Sequence, residues 1–256
     1  MNKATESTPA IRWLLEVGST NEALKQAVLA GETVPDGAAW ATTRQTAGRG
    51  RLGRTWTAPD GQTLAISLWM SGTPHPATSL LLGLAVTRAM RRLTGADFTL
   101  KWPNDSICGG RKVGGLLCEA VTRGDLQGTV LGVGLNLLQS PDFFEKAGLP
   151  YGGSVRMLTG AEIPPERAAT ALCEEWQRCV PRFRAEGFSP FRAEYETCCA
   201  TVGREVRVLG ADGAEVFGGT AIGVNDDGAL LVRTADGKTC TCLAGEVSVR
   251  GLYGYV

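Results

Sequence analysis

The sequence predicts an α+β protein in two parts: a larger domain over residues 1–200, with a mixed β-sheet flanked by helices, and a small C-terminal β-barrel-like domain over residues 201–256. Three observations support this prediction. Apolar residues recur at helical spacing in the segments 78–93 and 166–186. Strand-like apolar runs lie between and before these helices. After Ala200 only short strands remain, separated by Ala-Asp-Gly and Asn-Asp-Asp-Gly turns, which is typical of a small barrel.

The N-terminal region begins with a predicted strand over residues 11–18, followed by a helix. Ser19-Thr20-Asn21-Glu22 has the Ser-x-x-Glu capping-box pattern, and Gly31 suits the position after the last helical residue, so the helix is predicted to end near Ala30. Ser19 is therefore either a helix cap or a ligand-binding residue at a helix N-terminus, where exposed N–H groups favour anions.

The remaining elements of the first domain follow from apolar patterning and from turn residues. Strands are predicted at residues 38–43, 63–70, 98–101, 113–122 and 126–137, and helices at 78–93, 166–186 and 190–198. Residues 104–112 read as a hairpin turn. In the C-terminal domain, strands are predicted at residues 204–209, 215–223, 229–233 and 239–243.

Composition excludes several classes of function. The chain has 26 Lys and Arg against 26 Asp and Glu, so it has no broad basic surface for nucleic acid or anionic membrane. No apolar run approaches the roughly 20 residues of a membrane span. Residues 1–9 are polar, unlike a signal peptide. We therefore expect a cytoplasmic protein that binds neither nucleic acid nor membrane.

The distribution of cysteine and histidine argues against a protein nucleophile and against a zinc ribbon. None of the eight cysteines forms a Cys-x-x-Cys pair, so most are expected to be buried thiols. The single histidine, His75, lies between two prolines and is expected on the solvated surface, which makes a Ser-His or Cys-His dyad improbable. An enzyme with this sequence would instead position its substrates and manage their charge.

One segment, residues 44–56, concentrates positive charge on an otherwise neutral protein. It contains Arg44, Arg49, Arg51 and Arg54, interleaved with three glycines. Glycine allows close approach of the backbone to a ligand, and the guanidinium fork matches carboxylate or phosphate. The segment therefore predicts a site for a small anion, with a solvated turn as the alternative reading.

Five segments, which follow one another along the chain, carry a family resemblance. They are Ser19-Thr20-Asn21, Gln45 to Arg54, Lys101-Trp102-Pro103-Asn104-Asp105, Arg111 to Glu119, and Gly132-Val133-Gly134-Leu135-Asn136. Together they closely resemble the biotin protein ligases, also called biotin–acetyl-CoA-carboxylase ligases. The match is dense over residues 18–137, and residues 245–250 resemble that family's closing strand. The resemblance implies the class II synthetase-like fold of biotin and lipoate ligases, with an SH3-like C-terminal domain.

The resemblance also implies an activity. Members of the family use magnesium ATP to convert biotin to biotinyl-5′-AMP, and they then transfer biotin to one lysine of the biotin carboxyl carrier protein of acetyl-CoA carboxylase. The first step brings a carboxylate to a phosphate. At about 4 Å and an effective dielectric near 20, two unit charges repel by roughly 4 kcal/mol, so the reacting centre needs cations.

The resemblance assigns roles to individual residues by their positions in the matching segments. The implied biotin-binding residues are Ser19, Thr20, Asn21, Gln45, Gly48, Arg49, Gly50, Arg51, Lys112 and Gly115. Among these, the implied catalytic cations are Arg49, Arg51 and Lys112. The implied nucleotide-binding residues are Arg51, Arg54, Trp56, Lys101 and Asn136. Asp105 is expected to help with Mg²⁺ or with the incoming lysine, and Trp102 is expected to be a core aromatic.

Two alternatives to the ligase reading stay open. Lipoate and octanoyl-type acyl ligases share the fold, and a non-catalytic biotin sensor would share the binding site. Some relatives carry an N-terminal winged helix that represses biotin genes. The resemblance here begins directly at the catalytic segments, so a monofunctional ligase is expected. The family also suggests a possible homodimer.

Overall fold

A seven-stranded mixed sheet forms the centre of the computed structural model, which describes residues 10–57, 59–210, 213–244 and 248–251. The strand order is β1-β2-β3-β7-β6-β5-β4, and all neighbours are antiparallel except the parallel pair β1 and β2. The strands are β1 (Ile11–Trp13), β2 (Ala39–Thr42), β3 (Thr63–Ser71), β4 (Phe98–Lys101), β5 (Asp105–Cys108), β6 (Arg111–Arg123) and β7 (Leu126–Asn136). The predicted α+β fold with a mixed sheet is therefore confirmed.

Helices cover both faces of this sheet. They are α1 (Thr20–Ala30), α2 (Thr78–Thr94), α3 (Pro141–Lys146), α4 (Val155–Thr159), α5 (Pro165–Glu186) and α6 (Ser189–Cys198). The main core lies between the sheet and α2 and α5, whereas α1 packs on the opposite face. Neighbouring residues of β3 show the strand period of two, because Leu68 faces the main core and Trp69 faces α1.

Helix α1 has the ends that its sequence predicts. The Ser19 hydroxyl oxygen accepts a hydrogen bond from the Glu22 backbone N–H at 3.5 Å, and Gly31 ends the helix at a φ of 89°. A positive φ is strained for any residue with a Cβ, which explains the glycine. The capping role of Ser19 is thus present in the structure, and it places the N-terminus of α1 at a fixed point beside the sheet.

The predicted hairpin turn within residues 104–112 is present, but the strand inside this range was not predicted. These residues contain the strand β5, and only Gly109 and Gly110 make the turn to β6, with φ values of 52° and 71°. Two successive positive φ values are what a two-residue hairpin of this type requires. Two of its four residues, Asp105 and Ser106, are polar, and aspartate is depleted in strands, which is why the strand was missed.

Other differences also concern short elements. The first strand covers only Ile11–Trp13 of the predicted residues 11–18, and Val17 makes an isolated bridge to Gln45. Helices α3 and α4, of six and five residues, were not predicted. Helices of one or two turns contain too few residues for a periodic apolar pattern to emerge.

The C-terminal region forms a five-stranded antiparallel sheet with the order β11-β10-β9-β8-β12. Its strands are β8 (Glu205–Leu209), β9 (Glu215–Val224), β10 (Leu230–Arg233), β11 (Thr239–Cys242) and β12 (Ser248–Gly251). The small all-β region after residue 200 is therefore confirmed. The predicted closing strand at residues 245–250 overlaps β12, but residues 245–247 lie outside the described residues.

Several hydrogen bonds join the C-terminal region to the first domain, and two of them involve Trp102 and α6. The indole Nε1 of Trp102 donates to the Gly228 carbonyl at 3.0 Å, and the Glu196 carboxylate on α6 accepts from the Val224 backbone N–H at 2.9 Å. Trp102 is 1% exposed, which confirms its expected place in the core.

Most cysteines are buried thiols, as predicted, whereas the histidine makes more contacts than predicted. All eight cysteines are free thiols, and six of them are buried. Burial raises the pKa of the Cys173 thiol to about 12. His75, however, is not simply solvated: its ring packs edge-on against Phe183 at a centroid distance of 5.1 Å, and its Nδ1 accepts from the Ala77 backbone N–H. Among the described helices, none combines the length and the apolar composition of a membrane span.

We expect Trp102→Phe to lower the free energy of unfolding by about 1–3 kcal/mol, because the buried Gly228 carbonyl loses its hydrogen-bond donor. Urea unfolding at equilibrium measures this loss. Trp40→Phe, at a half-buried tryptophan that packs under the Arg12 guanidinium, is the control and should cost much less. Equal losses in the two variants would contradict the role of this bond.

Candidate functional site

A cavity of about 530 Å³ opens beside the N-terminus of α1. Its walls come from the arginine-containing segment, from α1, from strands β6 and β7 and from residues 143–152. Of the residues assigned by resemblance, all but Gly48 line it. They are Ser19, Thr20, Asn21, Gln45, Arg49, Gly50, Arg51, Arg54, Trp56, Lys101, Asp105, Lys112, Gly115 and Asn136. The fold thus brings distant segments of the sequence to one place.

The first residue of α1 orients a glutamine at one side of the cavity. The Thr20 backbone N–H donates to Gln45 Oε1 at 2.8 Å, and the Thr20 hydroxyl lies 3.3 Å from the same oxygen. Because Oε1 is used in this way, the Gln45 amide nitrogen is directed away from Thr20, and its N–H groups supply donors at this wall. The helix N-terminus therefore fixes the orientation of the Gln45 amide.

Asn21 is held by the protein on every side of its amide. Its Nδ2 donates to the Leu117 carbonyl at 3.0 Å and to Glu119 Oε2 at 2.9 Å, while its Oδ1 accepts from the Ser67 hydroxyl at 2.6 Å. A Cβ on Gly132 would lie 2.2 Å from Oδ1, so this strand position has room only for glycine. Both N–H donors of Asn21 are thus used within the protein, and the side chain ties α1 to the sheet.

The arginine-containing segment folds back on itself. The Trp56 backbone N–H donates to the Gly48 carbonyl at 2.9 Å, and the Gly50 N–H donates to the Arg54 carbonyl at 2.7 Å. A Cβ on Gly48 would lie 2.5 Å from the Trp56 carbonyl oxygen. Gly48 is therefore required for this closure, although it does not line the cavity itself. Leu52, at the tip, has a φ of 57°, which is uncommon outside glycine.

Arg51 is the most enclosed arginine of this segment. Its guanidinium donates to Asn104 Oδ1 at 3.1 Å and to the carbonyl of Ala244, which lies after strand β11. Burial lowers the pKa of Arg51, although the negative charge of Asp105 acts in the opposite direction. Arg51 therefore connects the cavity to the C-terminal sheet.

Lys112 and Asp105 form an ion pair at 2.5 Å between Nζ and Oδ1. Their side chains are 30% and 15% exposed, so water screens the pair only in part. The β5–β6 hairpin explains why they meet, because Asp105 lies opposite Gly115 in the register, three residues along β6 from Lys112. Lys101, which is 5% exposed, lies opposite Asp105 on β4.

The geometry does not provide a ready-made metal site. Asp105 is occupied by Lys112, and no group of three or more His, Cys, Asp or Glu residues within the described ranges could hold a metal ion. Magnesium is commonly bound through one or two carboxylates together with substrate phosphates. The residues present therefore do not fit a dedicated protein cage for Mg²⁺.

The indole of Trp56 lies against two glycines on the neighbouring strands β6 and β7. A Cβ on Gly115 would lie 3.2 Å from its indole, and a Cβ on Gly134 would lie 2.7 Å from it. These glycines leave β6 and β7 flat where the indole rests. Lys112 Nζ lies 5.8 Å from the centroid of the same ring. At the far side of the cavity, Asn136 Oδ1 accepts from Gln139 Nε2 at 2.8 Å.

Sequence reasoning missed several residues that hold these groups in place. Ser67 contacts Thr20 and Asn21, Glu119 binds the Asn21 amide, and Asn104 binds Arg51. Glu119 and Asn104 stand inside the segments that carry the resemblance, which was the available signal. Ser67 lies on a strand outside those segments, and nothing in the sequence marked it. No cysteine or histidine lines the cavity, so the described residues offer cations and polar groups for chemistry there.

Comparison with known proteins gives the same assignment in both sequence and fold. The model of the Biotin/lipoate A/B protein ligase family matches residues 16–136, and that of the Biotin protein ligase C terminal domain matches residues 201–250. A biotin–acetyl-CoA-carboxylase ligase of Mycobacterium tuberculosis is 32% identical over 240 residues, which cover 91% of this chain and 86% of that protein. The bifunctional ligase/repressor BirA of Bacillus subtilis is 28% identical over 214 residues.

Coverage differs between these relatives. The match to the Bacillus subtilis protein covers 82% of this chain and 65% of the length of that relative. Among solved structures, the biotin protein ligase of Aquifex aeolicus in complex with biotin and ATP superposes with a TM-score of 0.79 at 30% identity. This superposition covers 94% of this chain and 98% of that one. The chain therefore belongs to the biotin protein ligase family.

Proposed function

We propose that this protein is an ATP-dependent biotin protein ligase. It activates biotin as biotinyl-5′-AMP, with release of pyrophosphate, and transfers biotin to a lysine of a biotin carboxyl carrier protein. The observation that carries the proposal is the meeting of Arg49, Arg51 and Lys112 with the Thr20–Gln45 pair in one cavity. The likeness to the Aquifex aeolicus ligase, which was solved with biotin and ATP, supports the same two ligands.

In this proposal, biotin lies with its ureido ring at the N-terminus of α1. Ser19, Thr20 and Gln45 supply polar groups there, and the backbone around Gly115 completes the pocket, while Gly48 closes the arginine-containing segment beside it. Asn21 contributes by positioning α1 and Ser67, since both of its N–H donors are already used. The oriented Gln45 amide favours a ring that can accept its hydrogen bonds. A ring without acceptors would leave the amide N–H groups unpaired in a closed site, which costs binding free energy.

The adenylation step joins two anions. A carboxylate oxygen of biotin forms a bond to the α-phosphorus of ATP, and the bond from that phosphorus to the bridging oxygen breaks as pyrophosphate leaves. Arg49, the backbone at Gly50, Arg51 and Lys112 surround this centre in the proposal and offset the repulsion. Preorganised cations of this kind stabilise charge in the transition state without reorganisation.

The nucleotide occupies the other end of the cavity in the proposal. Lys101 and Arg54 face the phosphates, Asn136 meets adenine, and Trp56 packs over the ligand. Mg²⁺ enters as the complex with ATP, so it is part of the substrate and is held mainly by phosphate oxygens. This view agrees with the occupation of Asp105 by Lys112.

In the second step, the carrier lysine attacks the carbonyl carbon of the mixed anhydride with its neutral amine, and AMP leaves. We propose Asp105 as the carboxylate that assists the incoming lysine.

Residues 1–200 form the catalytic domain and residues 201–256 an SH3-like domain that reaches the site through Ala244. The eight free thiols suit a cytoplasmic location, and the partly exposed edge strand Ile11–Trp13 suits a homodimer.

Lys112→Ala is expected to lower biotin-dependent pyrophosphate release by about 10²–10³-fold, as is typical when one preorganised donor to a transition-state charge is removed. A coupled pyrophosphate assay with ATP and biotin measures this effect, followed by transfer of labelled biotin to a carrier domain. Lys238→Ala, at an exposed lysine of the C-terminal sheet, is the matched control and should retain full activity.

The choice of acid in the same assay separates the alternatives. Release with lipoate but not with biotin would assign the protein to the lipoate-type ligases. Biotin binding without any pyrophosphate release would identify a sensor instead of a ligase. Either result would refute the proposed function.

Gln45→Glu tests the biotin pocket with an isosteric change. A carboxylate can still accept from the Thr20 N–H, but it cannot donate as the amide nitrogen does. We expect at least a tenfold loss of biotin affinity by calorimetry, which corresponds to about 1.4 kcal/mol. Gln127→Glu, at an exposed position of β7, adds the same charge and should leave affinity unchanged. A loss of equal size in this control would show that charge alone is responsible.

A further inference from the structure

The carboxylate of Glu22 stands at the mouth of the cavity, outside the residues that line it. Its Oε2 lies 3.1 Å from Arg49 Nη1 and 2.9 Å from Lys25 Nζ, and its Oε1 accepts from Gln26 Nε2 at 2.8 Å. Glu22 and Arg49 are 27 residues apart in the sequence. The first turn of α1 therefore reaches across to the arginine-containing segment.

Glu22 is held firmly from its own helix. The hydrogen bonds from Lys25 and Gln26 lower the pKa of Glu22, so the side chain is charged at neutral pH. Lys25 is itself fixed by Glu119, at 3.0 Å. If Arg49 moves away, Glu22 keeps Lys25 and Gln26 as partners. Loss of Arg49 therefore does not leave an unpaired carboxylate, and the ion pair can exchange at small cost.

Arg49 is the more exposed member of the pair, with 58% of its side chain exposed against 31% for Glu22. It also lines the cavity, so an anion bound there competes with Glu22 for the same guanidinium. The other two proposed catalytic cations are held differently: Lys112 pairs with Asp105 inside the cavity, and Arg51 donates to uncharged oxygens. Within the part of the chain that the structure describes, Glu22 is thus the carboxylate outside the cavity lining that pairs with one of these three cations.

We propose that Glu22 is a positioning residue that holds Arg49 at the cavity mouth and exchanges it for the anionic group of the ligand. Glu22 thereby sets the affinity for a ligand with a free carboxylate relative to a neutral one. This inference rests on the proposed function, because it takes the ligand to be biotin. It goes beyond that function in assigning a role to a residue that does not touch the substrate.

The test compares two ligands of nearly the same shape, one with a charged carboxylate and one with a neutral amide. Biotin and its neutral amide, biotinamide, are titrated calorimetrically into the full chain and into Glu22→Gln. Loss of a partly exposed ion pair should make biotin bind about two- to fivefold more tightly, since Arg49 no longer has to leave a carboxylate. Biotinamide affinity should not change. A purely structural role of Glu22 would move both ligands together.

Two further variants make the test specific. Glu16→Gln removes a carboxylate that pairs at 2.7 Å with Arg44, in the same segment but outside the cavity, so it controls for the loss of one negative charge nearby. It should leave both affinities unchanged. In an Arg49→Gln background, Glu22→Gln should have no further effect, because the two residues would then have lost their interaction.

Each outcome either supports or overturns the role proposed for Glu22. The inference is overturned if Glu22→Gln leaves biotin affinity unchanged, if it shifts biotin and biotinamide equally, or if its effect persists without Arg49. If the wild type binds biotin and Glu22→Gln has no effect, only the role of Glu22 falls. If the wild type binds no biotin at all, the proposed function falls, and this inference falls with it.

Discussion

Crowding of positive charge around one cavity is the constraint on which the rest of this structure depends. Arg49, Arg51, Lys101 and Lys112 all line a space of about 530 Å³, and like charges at short range destabilise the folded state. The protein offsets this cost in different ways. Glu22 and Asp105 each pair with a cation, whereas Arg51 is enclosed by uncharged oxygens. The counter-charges are therefore as much a part of the site as the cations are.

The sheet provides the rigidity that this arrangement needs. Strands β6 and β7 carry glycines under Trp56, and the β5–β6 hairpin brings Asp105 to Lys112. On the other side, Asn21 ties the N-terminus of α1 to β3 and β6 through Ser67, Leu117 and Glu119. Groups from distant parts of the chain are thus fixed by backbone pairing and by hydrogen bonds.

Local features of the structure could be predicted from the sequence, whereas contacts between distant residues could not. Helices α2 and α5 were predicted because they are long enough to show a period, whereas α3 and α4 are too short. Most residues that line the cavity stand in compact motifs, so a family resemblance could nominate many of them, whereas the wall formed by residues 143–152 lies outside those motifs. Two supporting residues, Glu119 and Asn104, stand in the same motifs, but the motifs do not show which residues they contact. Glu119 and Asn104 act on partners 98 and 53 residues away, and no pattern in the sequence records such contacts.

The place of Trp56 gives the cavity an optical property of its own. Of the six tryptophans in the chain, Trp56 and Trp102 are the two that line it, and Trp102 donates its indole N–H to a carbonyl. The indole nitrogen of Trp56 is buried and has no acceptor among the described residues. Part of its surroundings therefore changes when a ligand fills the cavity, and we expect the intrinsic fluorescence of the unmodified protein to respond to occupation of the site, without any attached dye.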